Sequence, residues 1–218
     1  MTSAEAITAT VAYRPAAAGR TGLFIVLEGV SGSGKSTLAR LLAAWLQGRH
    51  FHTVPTPVSD LQPYINANAR PLPQLAFYLA GVLHASDLAR DALQDGYVIA
   101  DRYVNSVIAN HAAVHGLAND TVAAAIAPFT GYLVVPDLTI YLHTNPAELT
   151  RRIRAKGDQT RSDHDLLTDP GLLQRLQDRY DQIAAADPTA RRLQTTGRSP
   201  DELARIVTDM IPAVAVVT

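Results

Sequence analysis

Nine consecutive residues carry the densest chemistry in the chain: Gly29-Val30-Ser31-Gly32-Ser33-Gly34-Lys35-Ser36-Thr37. Their spacing, G-x-x-x-x-G-K-[ST], is that of a phosphate-binding loop, in which glycines let the backbone curl and successive amides point at an anion. Ser31, Gly32, Ser33, Gly34, Lys35, Ser36 and Thr37 form the candidate cradle. Lys35 is placed to reach the β- and γ-phosphates of a nucleoside triphosphate, and Ser36 to hold Mg²⁺. A second candidate is Asp101, at the end of the apolar run Tyr97-Val98-Ile99-Ala100, with Arg102 directly after it. An open parallel sheet puts its chemistry at the carboxyl ends of strands, so Asp101 is expected beside the loop as a further Mg²⁺-organising group. Downstream cations at Arg151, Arg152, Arg154, Lys156 and Arg161 suit phosphoryl transfer, which needs positioning and charge neutralisation more than covalent help. A charge run on one helix is mostly a solvated face, so only one or two of these cations are expected to touch phosphate, and Arg154 and Arg161 are the candidates.

These residues require elements that bring them together. Leu23-Phe24-Ile25-Val26-Leu27 reads as the strand before the loop, and Leu38, Leu41, Leu42 and Leu46 recur at helical spacing after it. Further strands are expected at His52-Thr53-Val54, at 97–101, at 137–142 and at 192–195. Helices are expected at 74–94, 104–115, 119–129, from Asn145-Pro146, at 170–186 and from Ser199-Pro200 to 211. The polar stretch 157–169 reads as a mobile loop within a lid at about 155–170. Five strands alternating with helices predict an α/β fold with a doubly wound, five-stranded parallel sheet. Residues 1–21 read as a flexible tail and 22–218 as one domain.

Composition narrows the partners. A formal net charge of -1 gives no global pull toward nucleic acid or an anionic membrane, which leaves small molecules. The absence of cysteine removes disulfides, thiolate metal sites and a cysteine nucleophile. The first twenty residues lack the apolar stretch of a secretory signal and no run is long enough to span a bilayer, so a cytoplasmic location is expected. A guanine-reading N-K-x-D segment is missing, which argues against a GTPase.

The segments LEGVSGSGKST, DRYVNS and PDLTIYLHTNPAELTRRIRAKG, followed by Arg161, resemble the thymidylate kinase family of P-loop kinases in order and spacing, over nearly all of 23–211. The resemblance implies ATP and Mg²⁺ as cofactors, a nucleoside monophosphate acceptor with thymidylate first, a closing lid and a homodimer. It implies that Arg102 positions the acceptor and bridges the transferring phosphates, and that Phe77 stacks on the acceptor base, with Tyr103, Ser106 and Asn110 nearby. Three departures fall on the acceptor side: Ser31 where the family has an acid, Pro55-Thr56-Pro57 where it has an arginine-bearing motif, and Gly81 near a base-reading arginine. Arg70 is the one cation between the second strand and the long helix, and is the candidate replacement. Residues 54–58 also look like the Val-Pro-Glu-Pro-Val segment of deoxynucleoside kinases, with Thr56 in place of the base. A kinase for a deoxynucleoside or another small hydroxylated metabolite, and a non-catalytic ATP-binding regulatory module, are the alternative readings.

Overall fold

The computed structural model describes residue 15 and residues 19–215, with side chains placed as far as residue 211. The expected tail at 1–21 lies largely outside the described residues. Phe24–Glu28 forms β1, and all five of its residues are buried, as a strand covered on both faces must be. Its neighbours are β3 (Val98–Asp101) and β4 (Leu138–His143), and the edges are β2 (Arg49–His52) and β5 (Ala190–Gln194). The order is β2-β3-β1-β4-β5 with every pairing parallel, so the chain is an α/β protein with the expected doubly wound sheet.

Helices cover both faces. Against one face α1 (Lys35–Trp45) and α9 (Pro200–Ala215) pack Leu38, Leu42, Leu203 and Val207 onto Ile25, Leu27, Ile99 and Ile140. Past α2 (Gln62–Asn68), which buries no residue, the helices on the other side are α3 (Pro71–Ala92), α4 (Val104–His115) and α5 (Asn119–Ile126). From α3 and the cap that follows it, and from α4 and α5, Val82, Leu93, Val107 and Ile126 meet Phe24, Val26, Val98 and Ala100. A third cluster joins α4 to α6 (Pro146–Arg154), α7 (Arg161–Thr168) and α8 (Pro170–Ala186) through Leu149, Ile153, Leu166, Leu173 and Tyr180.

Two expectations shift. The second strand ends at His52, because its ladder runs Arg49↔Val98 to His52↔Asp101 and stops where β3 stops. The stretch expected as a mobile loop contains α7. Its start is a capping box, in which Thr160 and Asp163 satisfy each other's backbone amides, and buried Leu166 anchors it.

Candidate active site

The loop between β1 and α1 closes on itself. Gly32 and Gly34 hold φ of 82° and 101°, values that side chains resist. Gly34 caps α1 without a side-chain bond, so the first-turn amides have no side-chain acceptor and face outward for an anion. Buried Lys35 donates from Nζ to Val30 O at 2.8 Å and Ser33 Oγ at 3.4 Å. Burial first, and then the Arg102 charge, lower its pKa to about 7, against the pull of Asp101 and Glu28. Ser36 Oγ donates to Asp101 Oδ2 at 2.5 Å, while Asp101 Oδ1 is buried with no partner among the described residues. Burial alone would raise Asp101; Lys35, Arg102 and His52 outweigh it and hold the carboxyl below its ordinary range. A fixed carboxylate oxygen with an unused lone pair beside an exposed hydroxyl fits Mg²⁺, which takes one or two protein ligands and leaves the rest to water and phosphate. No group of three or more His, Cys, Asp or Glu that could hold a metal occurs among the described residues.

Arg102 stands at the next corner. Its φ is 75°, a left-handed conformation that costs a non-glycine residue roughly 1–2 kcal/mol. The turn is held by its amide on Leu27 O at 3.0 Å and by Thr53 Oγ1 donating to its carbonyl at 2.9 Å. Nη1 donates to Gly29 O (3.3 Å), Ser106 Oγ (3.3 Å) and Tyr180 Oη (3.1 Å). Nε and Nη2 have no acceptor among the described residues. The guanidinium is therefore clamped at one nitrogen and open along its other edge, the edge that binds a phosphate in bidentate fashion. Beneath it, fully buried Glu28 accepts from Tyr103 N and Ser106 N, each at 3.1 Å, and from Ser106 Oγ. Burial raises its pKa to about 7 against those bonds and the nearby Arg102 charge.

The segment that carries α7 reaches the loop through an acid. Asp163, on α7 and 1% exposed, accepts from Ser31 Oγ at 2.5 Å and from Lys156 Nζ at 2.8 Å. Although burial opposes it, the Lys156 and Ser31 bonds hold this carboxyl down to about 2. Lys156 is near enough to contribute to the lowering of Lys35. Sequence reasoning passed over Asp163, Glu28 and Tyr180; only Asp163 had a local signal, the Thr160-x-x-Asp163 spacing of a capping box.

The remaining candidates spread out. Arg152, half-buried, lies behind the loop: its Cβ is 3.7 Å from where a Cβ on Gly32 would stand, and its guanidinium reaches Thr195. Arg154 is exposed and lines a surface cavity of about 670 Å³ with Leu166, Leu167 and Leu173, and Arg161 is exposed at the start of α7. Asn110 is tied to Ser106 O at 2.7 Å and Tyr180 Oη at 3.1 Å, so with Ser106 it belongs to the Arg102 cluster. Tyr103 does not join them by its ring, which is 1% exposed and packs edge-on against Phe24 with centroids 5.1 Å apart. Phe77 is half-buried, 5.3 Å from the Tyr78 ring, and Arg70 is exposed at the cap of α3. The departure at Gly81 is built into the packing: a Cβ there would lie 2.5 Å from Val54 Cγ2, and Val54 is 2% exposed.

Known proteins share this sequence pattern and this fold. A family model described as thymidylate kinase matches residues 27–204. The chain is 32% identical to a thymidylate kinase of Roseiflexus sp. (strain RS-1), the match covering 84% of this chain and 90% of that one. It is 31% identical to a thymidylate kinase of Dehalococcoides mccartyi, covering 88% and 96%. Among solved structures, a thymidylate kinase from Candida albicans superposes with a TM-score of 0.74 at 22% identity, over 89% of this chain and 93% of that chain, a likeness in fold.

Proposed function

The chain belongs to the thymidylate kinase family of nucleotide kinases, and from that membership we propose that it transfers the γ-phosphoryl group of ATP to thymidylate, giving dTDP and ADP. The observation that carries the reading is the meeting of two charge systems at the carboxyl ends of β1 and β3. Lys35, Ser36 and the loop amides lie on one side, and the open edge of Arg102 on the other. An anion-binding half and a cationic acceptor half with Asp101 between them are what an in-line transfer requires.

In this reading the amides of residues 32–37 and Lys35 hold the donor phosphates, and Ser36 and Asp101 hold Mg²⁺. The metal, when bound, neutralises charge on the phosphate oxygens. Arg102 presents Nε and Nη2 to the acceptor phosphate, with Ser106 and Asn110 fixing its surroundings. Phe77 and Arg70 belong to the acceptor side. Arg154 and Arg161 are carried by the lid, whose closure excludes water. A phosphate acceptor needs no general base, which suits the exposed Thr56, whose hydroxyl bonds Ser59 Oγ at 3.3 Å. The proposed setting is the cytoplasm, with a homodimer as the proposed assembly; no helix among the described residues is long and apolar enough to cross a membrane.

ADP release measured across thymidylate, other monophosphates, deoxynucleosides and no acceptor tests the reading. Release that depends on thymidylate supports it. Release with a deoxynucleoside alone, or none with any acceptor, replaces it with one of the alternatives. The Val54–Gly81 contact makes the width of the monophosphate panel informative, because it leaves α3 without a side chain to reach the base at that level.

A further inference from the structure

Tyr180 is buried on α8, 78 residues beyond Arg102, and its hydroxyl is a junction. It accepts from Arg102 Nη1 at 3.1 Å and from Asn110 Nδ2 at 3.1 Å, and it shares a 2.9 Å bond with Ser106 Oγ. Counting donors sets the direction of these bonds. The guanidinium and the amide nitrogen only donate, so both lone pairs of the phenol are taken and its one proton goes to Ser106 Oγ. Ser106 in turn gives its proton to Glu28 Oε2. The chain runs Arg102 to Tyr180 to Ser106 to Glu28, each hydroxyl passing on one donation, and every polar atom of the phenol is used.

We propose that Tyr180 is a positioning residue for phosphoryl transfer, clamping Nη1 of Arg102 so that the Nε and Nη2 edge is held toward the acceptor phosphate. The proposal deepens the kinase reading and rests on it. Two features separate Tyr180 from ordinary core packing. Ser106 Oγ and Gly29 O, the other partners of Nη1, lie at 3.3 Å, so the phenol is its nearest acceptor. Moreover, α8 follows α7 directly, and Leu166 of α7 shares a cluster with Leu173, Leu176 and Tyr180 of α8. The helix that carries the lid's far end therefore also holds the acceptor arginine, and the geometry of Arg102 is tied to the seating of the lid. A phenol meets this need better than a carboxylate, which would neutralise the guanidinium that the incoming phosphate must meet charged.

The test is Tyr180→Phe, which keeps the ring and removes the hydroxyl. Acceptor kcat/KM is expected to fall about tenfold, the usual scale for one hydrogen bond to a charged group, while the ATP KM stays within about twofold. In an Arg102→Ala background the same change should add less than about twofold, since there is no guanidinium left to clamp. Leu176→Ala, which loosens the same helix without touching the hydroxyl, is the structural control and leaves the ratio of acceptor KM to ATP KM as in the wild type. Equal effects on both substrates, full additivity with Arg102→Ala, or an unchanged acceptor kcat/KM overturns the role of Tyr180 alone. A wild-type protein without acceptor-dependent ADP release overturns the kinase reading, and this proposal with it.

Discussion

The proposed donor and acceptor halves of the site are built by opposite means. On the donor side nearly everything comes from one stretch of nine residues, and the bond that seats Lys35 runs to Val30, five residues away. On the acceptor side Arg102 is seated by Gly29 O and Tyr180 Oη, 73 and 78 residues away, above a buried carboxylate from a third element. The donor half is largely local backbone geometry, set by residues that are neighbours along the chain. The acceptor half is a packed polar network in which each member has its bonds assigned, so a change at one position is felt at the others.

That contrast can be broken at either end. Lys35→Ala removes the one buried cation of the donor cradle and is expected to lower kcat on the order of a thousandfold in steady-state ADP release. A rate within about tenfold of wild type would mean that the loop does not carry the transfer. Arg102→Ala should cost on the order of a hundredfold in acceptor kcat/KM and leave ATP affinity by calorimetry nearly unchanged. A matching loss of ATP affinity would merge the two halves into one.

The proposed lid gives a smaller and more selective probe. Asp163→Asn weakens the pairing of Lys156 and Ser31, which joins α7 to the loop. Amides of 160–168 should exchange with solvent several-fold faster while those of β1 and β3 keep their protection. Unchanged exchange in α7 would show that packing through Leu166, rather than the acid, seats the lid.

The smallest expected effect is a fraction of a proton. Burial lowers Lys35 to about 7, so above that pH a growing share of the ligand-free protein carries it neutral. Bound phosphate favours the ammonium, so ATP binding should take up a proton near pH 8 and little near pH 6. Calorimetry at pH 8 in buffers of different ionisation enthalpy reads this directly. The uptake should vanish in Lys35→Ala, and its persistence there would move the titration to another group.

Much of the fold and the donor half could be read from residue order alone. Strand, glycine-rich loop and helix follow from short-range rules, and the alternation of apolar runs with helical periodicity is enough to specify a five-stranded parallel sheet with Asp101 at a strand end. The Thr160-x-x-Asp163 cap was equally local, yet a polar stretch flanked by glycine and proline reads first as loop, and the helix there depends on Leu166 finding a core. Arg102 was identifiable from its place after the strand; what surrounds it was not.

The linear order of the residues, then, determines the loop proposed to bind a triphosphate, because that site is made by neighbours along the chain whose spacing sets their geometry. Only folding decides how Arg102 is aimed, that Glu28 lies beneath it, that Tyr103 turns into the core while Tyr180 turns toward the site, and that Val54 fills the space at Gly81. Those outcomes depend on which side chains from distant segments compete for the same buried volume and the same hydrogen-bond acceptors, and spacing along the chain carries no record of that competition.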